Sequence, residues 1–168
     1  MSKTPIDLLT TRSKPSTRGP VTPKPVASKV RRRSADALAG VPLFSGLSRR
    51  HLNQLADVVD EVRFRPGTAV IREGDLGQTL FVILEGQAKV TRGGRTLTKL
   101  GPGEFFGEIS LLDRGPRTAS VGAQTPLVTV RLFRREFLKL ARSEPKMAER
   151  VLETLAGRLR AAEKLLTS

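Results

Sequence analysis

Hydrophobic positions along the chain fall into three regimes. Up to residue 40 they are scattered among Pro, Ser, Thr and Lys with no period, and five of the eleven prolines lie there. A stretch that cannot assemble an apolar face has nothing to offset the entropy of ordering it. Residues 1–40 are therefore expected to be a disordered tail, and 41–168 one folded domain. The first regular pattern begins at Ser48, a capping residue, with Leu52, Leu55, Ala56 and Val59 at i, i+3, i+4 and i+7. That spacing predicts an amphipathic helix of about three turns. His51 lies off its apolar stripe and is expected to be simply exposed.

From about Glu61 to Arg134 the period drops to two, and glycines punctuate it. Val62 and Phe64 alternate with charges, Arg65-Pro66-Gly67 reads as a turn, and Ala69-Val70-Ile71 as a short strand. A second turn at Glu73 to Gly77 precedes the apolar run Leu80–Leu84, and Gly93-Gly94 closes a hairpin. Leu97, Leu100, Val121, Val128, Val130 and Leu132 continue the pattern. Many short strands at nearly even spacing predict a mainly β fold with flanking helices, an antiparallel jelly roll or barrel. Helical spacing returns over Arg135–Ala141, breaks at Ser143-Glu144-Pro145, and resumes to about Leu166. In that last helix Leu152, Leu155, Leu159, Ala162 and Leu166 are spaced 3, 4, 3, 4, a short heptad seam. It would serve either to pack on the barrel or to join two copies of the chain.

Composition narrows the chemistry. The chain has no Cys and one His, which removes disulfides, thiolate metal sites and multi-histidine metal sites. No base, nucleophile or metal constellation stands out, so an enzyme is not expected. No apolar run nears the ~20 residues that span a bilayer, and Asp7 interrupts the short Ile6–Leu9 run. A cytoplasmic protein is the expectation. The net charge is +14, and residues 1–40 carry nine Lys or Arg against Asp7 and Asp36, a net of +7. Such a tail attracts nucleic acid, anionic lipid or acidic protein, or is merely solvated.

The segment from Gly101 to Val121 carries the chemistry. Phe105 and Phe106 are apolar anchors, Gly107 frees the backbone to turn, and Glu108–Leu112 reads as a short helix whose N-terminus favours an anion. Arg117 follows a Gly-Pro turn and enters the apolar strand Thr118–Val121. An arginine entering a barrel interior is costly unless it meets an anion. Glu108 cannot pair with a phosphate but can accept a sugar hydroxyl. Together these describe a phosphate cassette.

Phe106-Gly-Glu-Ile-Ser-Leu-Leu112 and Gly115-Pro-Arg-Thr-Ala119 resemble the cassette of the cyclic-nucleotide-binding domain family. The entry Pro42 to Ser48, with Gly67, Glu73-Gly74-Asp75, Gly77, Phe81-Val82-Ile83 and Gly86, extends the resemblance over about 41 to 166. The resemblance implies a cupin-like double-stranded β-helix with a C-terminal lid helix. It implies cAMP, or cGMP, as ligand rather than any cofactor. Arg117 would hold the cyclic phosphate and Glu108 the ribose 2′-hydroxyl. Gly107, Ile109, Ser110 and Ala119 would complete the binding loop, with Thr118 reaching the phosphate or the base. Arg158, Arg160 and Lys164 are the lid residues to consider near the base. The chain ends about two residues past the predicted lid helix, so a stand-alone sensor acting on a protein effector is expected. The alternatives are a nucleic-acid-associated regulator using the basic tail, and a degenerate member taking another anion such as a cyclic dinucleotide. Arg31-Arg32-Arg33-Ser34 resembles a basophilic kinase site, at which phosphorylation of Ser34 would remove positive charge.

Overall fold

The computed structural model describes residues 31–168. The predicted tail up to residue 30 lies outside the described residues. Eight strands form two four-stranded antiparallel sheets. The first has the order β1 (Asp60–Phe64), β8 (Leu127–Phe133), β3 (Thr79–Glu85), β6 (Phe105–Phe106). The second has the order β2 (Ala69–Ile71), β7 (Ser120–Ala123), β4 (Ala88–Arg92), β5 (Arg95–Leu100). Five α-helices complete the described fold: α1 (Arg31–Ala39), α2 (Arg49–Val58), α3 (Glu108–Asp113), α4 (Arg134–Ser143) and α5 (Pro145–Leu166). This is the β roll with flanking helices that the strand pattern predicts. No described helix is long and apolar enough to cross a membrane.

The apolar run Leu80–Leu84 is continuous because β3 is buried on both faces. Side chains alternate across a strand. Leu80 and Val82 therefore face the helices, in a core with Phe44, Leu52, Leu55, Phe137, Met147 and Val151. Phe81 and Ile83 face the space between the sheets, with Phe64, Leu100, Phe106 and Leu127. Inside that space Phe81 stacks on Phe106 at 5.2 Å between ring centroids and meets Phe64 edge-on at 6.4 Å. These rings set a floor beneath the cassette, since Phe106 immediately precedes Gly107.

Two expectations are corrected. Residues 31–39, expected to belong to the disordered tail, form α1, and Ala35 and Leu38 on it are fully buried. Their face is two residues wide and is interrupted by charge, so no period betrays it. Only α2 and the Pro42–Phe44 turn, against which α1 packs, make it worth burying. Arg31-Arg32-Arg33-Ser34 thus falls within α1. His51 is not simply exposed. Ser48 caps α2 by accepting from the His51 N–H at 3.2 Å, and the imidazole Nδ1 lies 3.1 Å from Ser48 Oγ and against Glu144 at the α4–α5 break. The helix pattern could not show this, because the partner comes from 93 residues away in sequence.

One glycine pins the sheets together. Gly86 has φ +88°, and a Cβ there would stand 2.0 Å from Pro126 O and 2.9 Å from Thr125 Oγ1. Strain and backbone clash act together. Gly86→Ala is expected to cost at least about 3 kcal/mol, lowering Tm by roughly 6–12 °C. Thermal unfolding by circular dichroism checks this, and an unchanged Tm would contradict the close approach.

Candidate functional site

The cassette is built by two connections that meet over the phenylalanine floor. β6 delivers Gly107 in a left-handed conformation, φ +88°, at the N-terminus of α3. A Cβ at Gly107 would lie 2.5 Å from Thr79 O and 2.8 Å from Arg117 Nη1, so only glycine lets the chain turn there. The α3 helix ends at Arg114, itself left-handed at φ 61°, and Arg134 Nη1 donates to the carbonyls of Leu111 and Leu112 at that end. Ser110 is buried and donates from Oγ to Pro116 O at 3.1 Å, which ties α3 to the segment carrying Arg117. Asp113 accepts from Gly115 N–H at 2.7 Å and so shapes the turn between them.

Arg117 is 5% exposed. Its backbone is clamped to the β2–β3 loop: its N–H donates to Asp75 O and its carbonyl accepts from Gly74 N–H, both at 2.8 Å. Its guanidinium donates from Nη1 to Thr79 O and Gly107 O, each at 3.0 Å, and from Nη2 to Thr79 Oγ1 at 2.7 Å. A guanidinium has five N–H donors. Three are used, and the remaining Nη2 hydrogen and the Nε–H form one edge of the fork. Gly77 keeps that region open, because a Cβ there would sit 3.0 Å from Nη2 and 3.1 Å from Nε. Among the described residues no carboxylate makes an ion pair with Arg117. Burial pushes its pKa below the ordinary arginine value, and the negative charge of Glu108 partly opposes this. The site thus holds a desolvated cation oriented by carbonyls and, among the described residues, left without an ion-pair partner.

Glu108 is 3% exposed, at the first position of α3. Its partner comes from α5: Arg158 Nη1 donates to Glu108 Oε1, and Nη2 to Phe105 O. The Arg158 guanidinium also lies over the Phe105 ring, 5.0 Å from its centroid. Beyond Arg158 every residue of α5 is exposed, so this contact is the last that holds the helix to the cassette. Arg158→Ala is expected to raise amide exchange at least tenfold in residues 156–166 while leaving the strands protected. Unchanged exchange there would mean that the tether does not hold the helix.

The sequence-predicted residues divide plainly. Gly107, Glu108, Ser110 and Arg117 converge on one spot, with Thr118 and Ala119 half-buried at the start of the strand that follows. Ile109 is 40% exposed, so it offers the loop its backbone rather than its side chain. Of the three lid residues only Arg158 reaches the cassette, whereas Arg160 and Lys164 are exposed on the free part of α5. Sequence reading missed Thr79, took Phe105 only as an apolar anchor and not as a seat for Arg158, and missed Gly77 as the residue that keeps the open edge of Arg117 clear. Thr79 sits 38 residues from Arg117, and they meet because the loop leading into β3 clamps the Arg117 backbone at Gly74 and Asp75. No described cluster of His, Asp or Glu could hold a metal ion.

Known proteins are similar to this chain in sequence and fold. The family model for the cyclic nucleotide-binding domain matches residues 61–144, half of the chain. The cyclic AMP receptor protein of Thermus thermophilus is 39% identical over 131 residues, covering 75% of this chain and 61% of that protein. The cAMP-dependent protein kinase regulatory subunit of Yarrowia lipolytica is 38% identical over 105 residues, covering 61% of this chain and 28% of that protein. Among solved structures, cAMP-bound PfPKA-R superposes with a TM-score of 0.75 at 25% identity, covering 82% of this chain and 48% of that one. The chain therefore spans less than two thirds of these relatives. The cassette, the β roll and the matched residues lead to one assignment: the chain belongs to the cyclic nucleotide-binding domain family.

Proposed function

We propose that the protein senses a purine 3′,5′-cyclic nucleotide, cAMP first among them, and signals by moving α5. The observation that carries this is Arg117, buried with two open donors and no counter-ion among the described residues. A cyclic phosphate presents one negative charge and two exocyclic oxygens, which match the open edge of the fork in charge and geometry. Glu108, close to that edge, supplies the acceptor for a ribose 2′-hydroxyl. In the present arrangement Arg158 occupies Glu108. A ribose that takes over Glu108 competes with Arg158, so ligand binding and the position of α5 are linked, and each shifts the other. Relatives described as cAMP receptor protein and cAMP-dependent kinase regulatory subunit support cAMP as the first ligand to try. The site offers binding groups rather than a nucleophile and base, so its output is conformational.

Leu152, Leu159 and Leu166, one heptad apart on α5, are 63%, 61% and 87% exposed. Leu155 of the same seam packs against the helical core, so the seam is only partly used there, and its exposed leucines favour a second copy of the chain or a protein effector as their cover.

The test is calorimetric titration of the full chain with cAMP, cGMP and the matching nucleosides without phosphate. Saturable binding of a cyclic nucleotide, with the nucleosides at least 100-fold weaker, is expected, and the two bases are then ranked. A nucleoside that binds as tightly as its cyclic phosphate would overturn the role given to Arg117.

A further inference from the structure

The hairpin of β4 and β5 contributes no residue to the cassette described above and is strongly basic. It runs from Gly86 to Leu100 with four cationic side chains, Lys89, Arg92, Arg95 and Lys99, and no acidic one. Register puts them opposite each other in pairs: Lys89 with Lys99, and Arg92 with Arg95. Directly opposed side chains in an antiparallel pair are about 5 Å apart, and like charges there destabilise the sheet. All four are exposed, and among the described residues none has an ion-pair partner. The carboxylate that does reach the hairpin, Glu73, accepts from the backbone N–H of Gly93 at 3.0 Å. The sheet therefore bears two in-register repulsions with no described ion pair to relieve them. A lysine on the edge strand β5 guards against aggregation. That does not account for Lys89, because β4 lies inside the sheet between β5 and β7.

Side chains alternate across β4, so Lys89, Lys99, Thr91 and Thr96 share the outer face, away from Val90, which packs on the core. We infer that this face, carrying Lys89 and Lys99, binds the phosphate backbone of nucleic acid. The surroundings of the lysines favour that polyanion. The row through Lys99 and Lys89 continues into Gly122 and Ala69, which carry almost no side chain, so a rigid duplex can lie close to the sheet. The next row pairs Thr91 with Thr96, two hydroxyls able to donate to phosphate oxygens. No aromatic residue lies on β4, β5, β7 or β2, so bases have nothing to stack on and binding is to backbone, independent of sequence. An anionic membrane would call for apolar side chains able to insert, and the hairpin exposes one, Leu97.

The experiment follows binding of the full chain to a mixed-sequence DNA duplex over a range of salt concentrations. The variants are Lys89→Gln/Lys99→Gln and a charge-matched control on α4, Arg135→Gln/Lys139→Gln. Each neutralised phosphate contributes about 0.9 to the slope of log K against log salt. The hairpin variant is expected to lower that slope by about 1.8, weakening binding about 30-fold at roughly 0.15 M salt. The control is expected to leave both nearly unchanged. Equal losses in both variants would reduce the effect to net charge and overturn the inference. So would an unchanged slope in the hairpin variant, or a loss seen with vesicles of anionic lipid but not with DNA. Thermal unfolding supplies a second readout: relief of the Lys89–Lys99 repulsion should leave Tm at or above the parent value. A clear fall would make the lysines structural and count against the proposal.

Discussion

Replacing Arg117 with Ala is expected to weaken cyclic-nucleotide binding by 100-fold or more. Truncating one member of a buried, hydrogen-bonded charge pair costs about 2–5 kcal/mol, and 1.4 kcal/mol is tenfold in affinity. The expectation is large here because no neighbouring group can replace the lost charge. Arg158, which also reaches the start of α3, is already committed to Glu108 and Phe105 O. Arg117→Lys separates charge from geometry. Lysine restores a cation but not the planar fork that meets Thr79 O, Gly107 O and a phosphate at once. It should therefore recover only part of the loss, leaving affinity about tenfold below the parent. Titration calorimetry reads both variants. Thermal unfolding run beside it shows whether Thr79 O and Gly107 O, left without their donor, destabilise the fold. Intact affinity in a folded Arg117→Ala protein would remove the phosphate site from the mechanism.

Gly107→Ala should damage stability and binding together. The residue sits at φ +88°, a region that costs an L-residue roughly 1–2 kcal/mol. Its new methyl would also meet Thr79 O at 2.5 Å and Arg117 Nη1 at 2.8 Å. The first contact is with the backbone of β3, buried on both faces, and cannot yield cheaply. The second pushes aside the guanidinium that would meet the phosphate. A loss of about 3 kcal/mol is expected, with affinity reduced at least tenfold even at temperatures where the variant is folded. Gly67 is the internal control. It has φ +82°, but a Cβ there would stand in open space with nothing within 4 Å. Gly67→Ala should therefore show backbone strain alone, about 1 kcal/mol, with binding untouched. If the two alanine variants behaved alike, the packing of Gly107 against Thr79 and Arg117 would not matter.

Much of this was legible along the chain because the relevant signals are local. The cap at Ser48, the stripe Leu52–Leu55–Ala56 and the break before Pro145 each act within a few residues, and α2, α4 and α5 appear where those signals stand. Alternation and glycine turns announced the strands for the same reason. Gly107, Glu108 and Arg117 lie within eleven consecutive residues, so their types and order alone describe an anion site. What sequence could not supply was any contact closed over distance. Thr79 orienting Arg117, Arg158 closing on Glu108, and His51 against Glu144 join residues 38, 50 and 93 positions apart. The clamping of loops and the docking of helices decide such pairs, and neither leaves a local period to read. The same holds for α1. Its two buried apolar residues are too few to make a pattern, and their burial depends on α2 and the turn at Pro42–Phe44 being in place to receive them. By itself, then, the sequence determined the kinds of element and which residue types gather in the cassette segment, since both follow from neighbours in the chain. Tertiary structure alone decided which donors of Arg117 stay open and which lid arginine reaches Glu108, since both depend on side chains brought together from separate strands and helices.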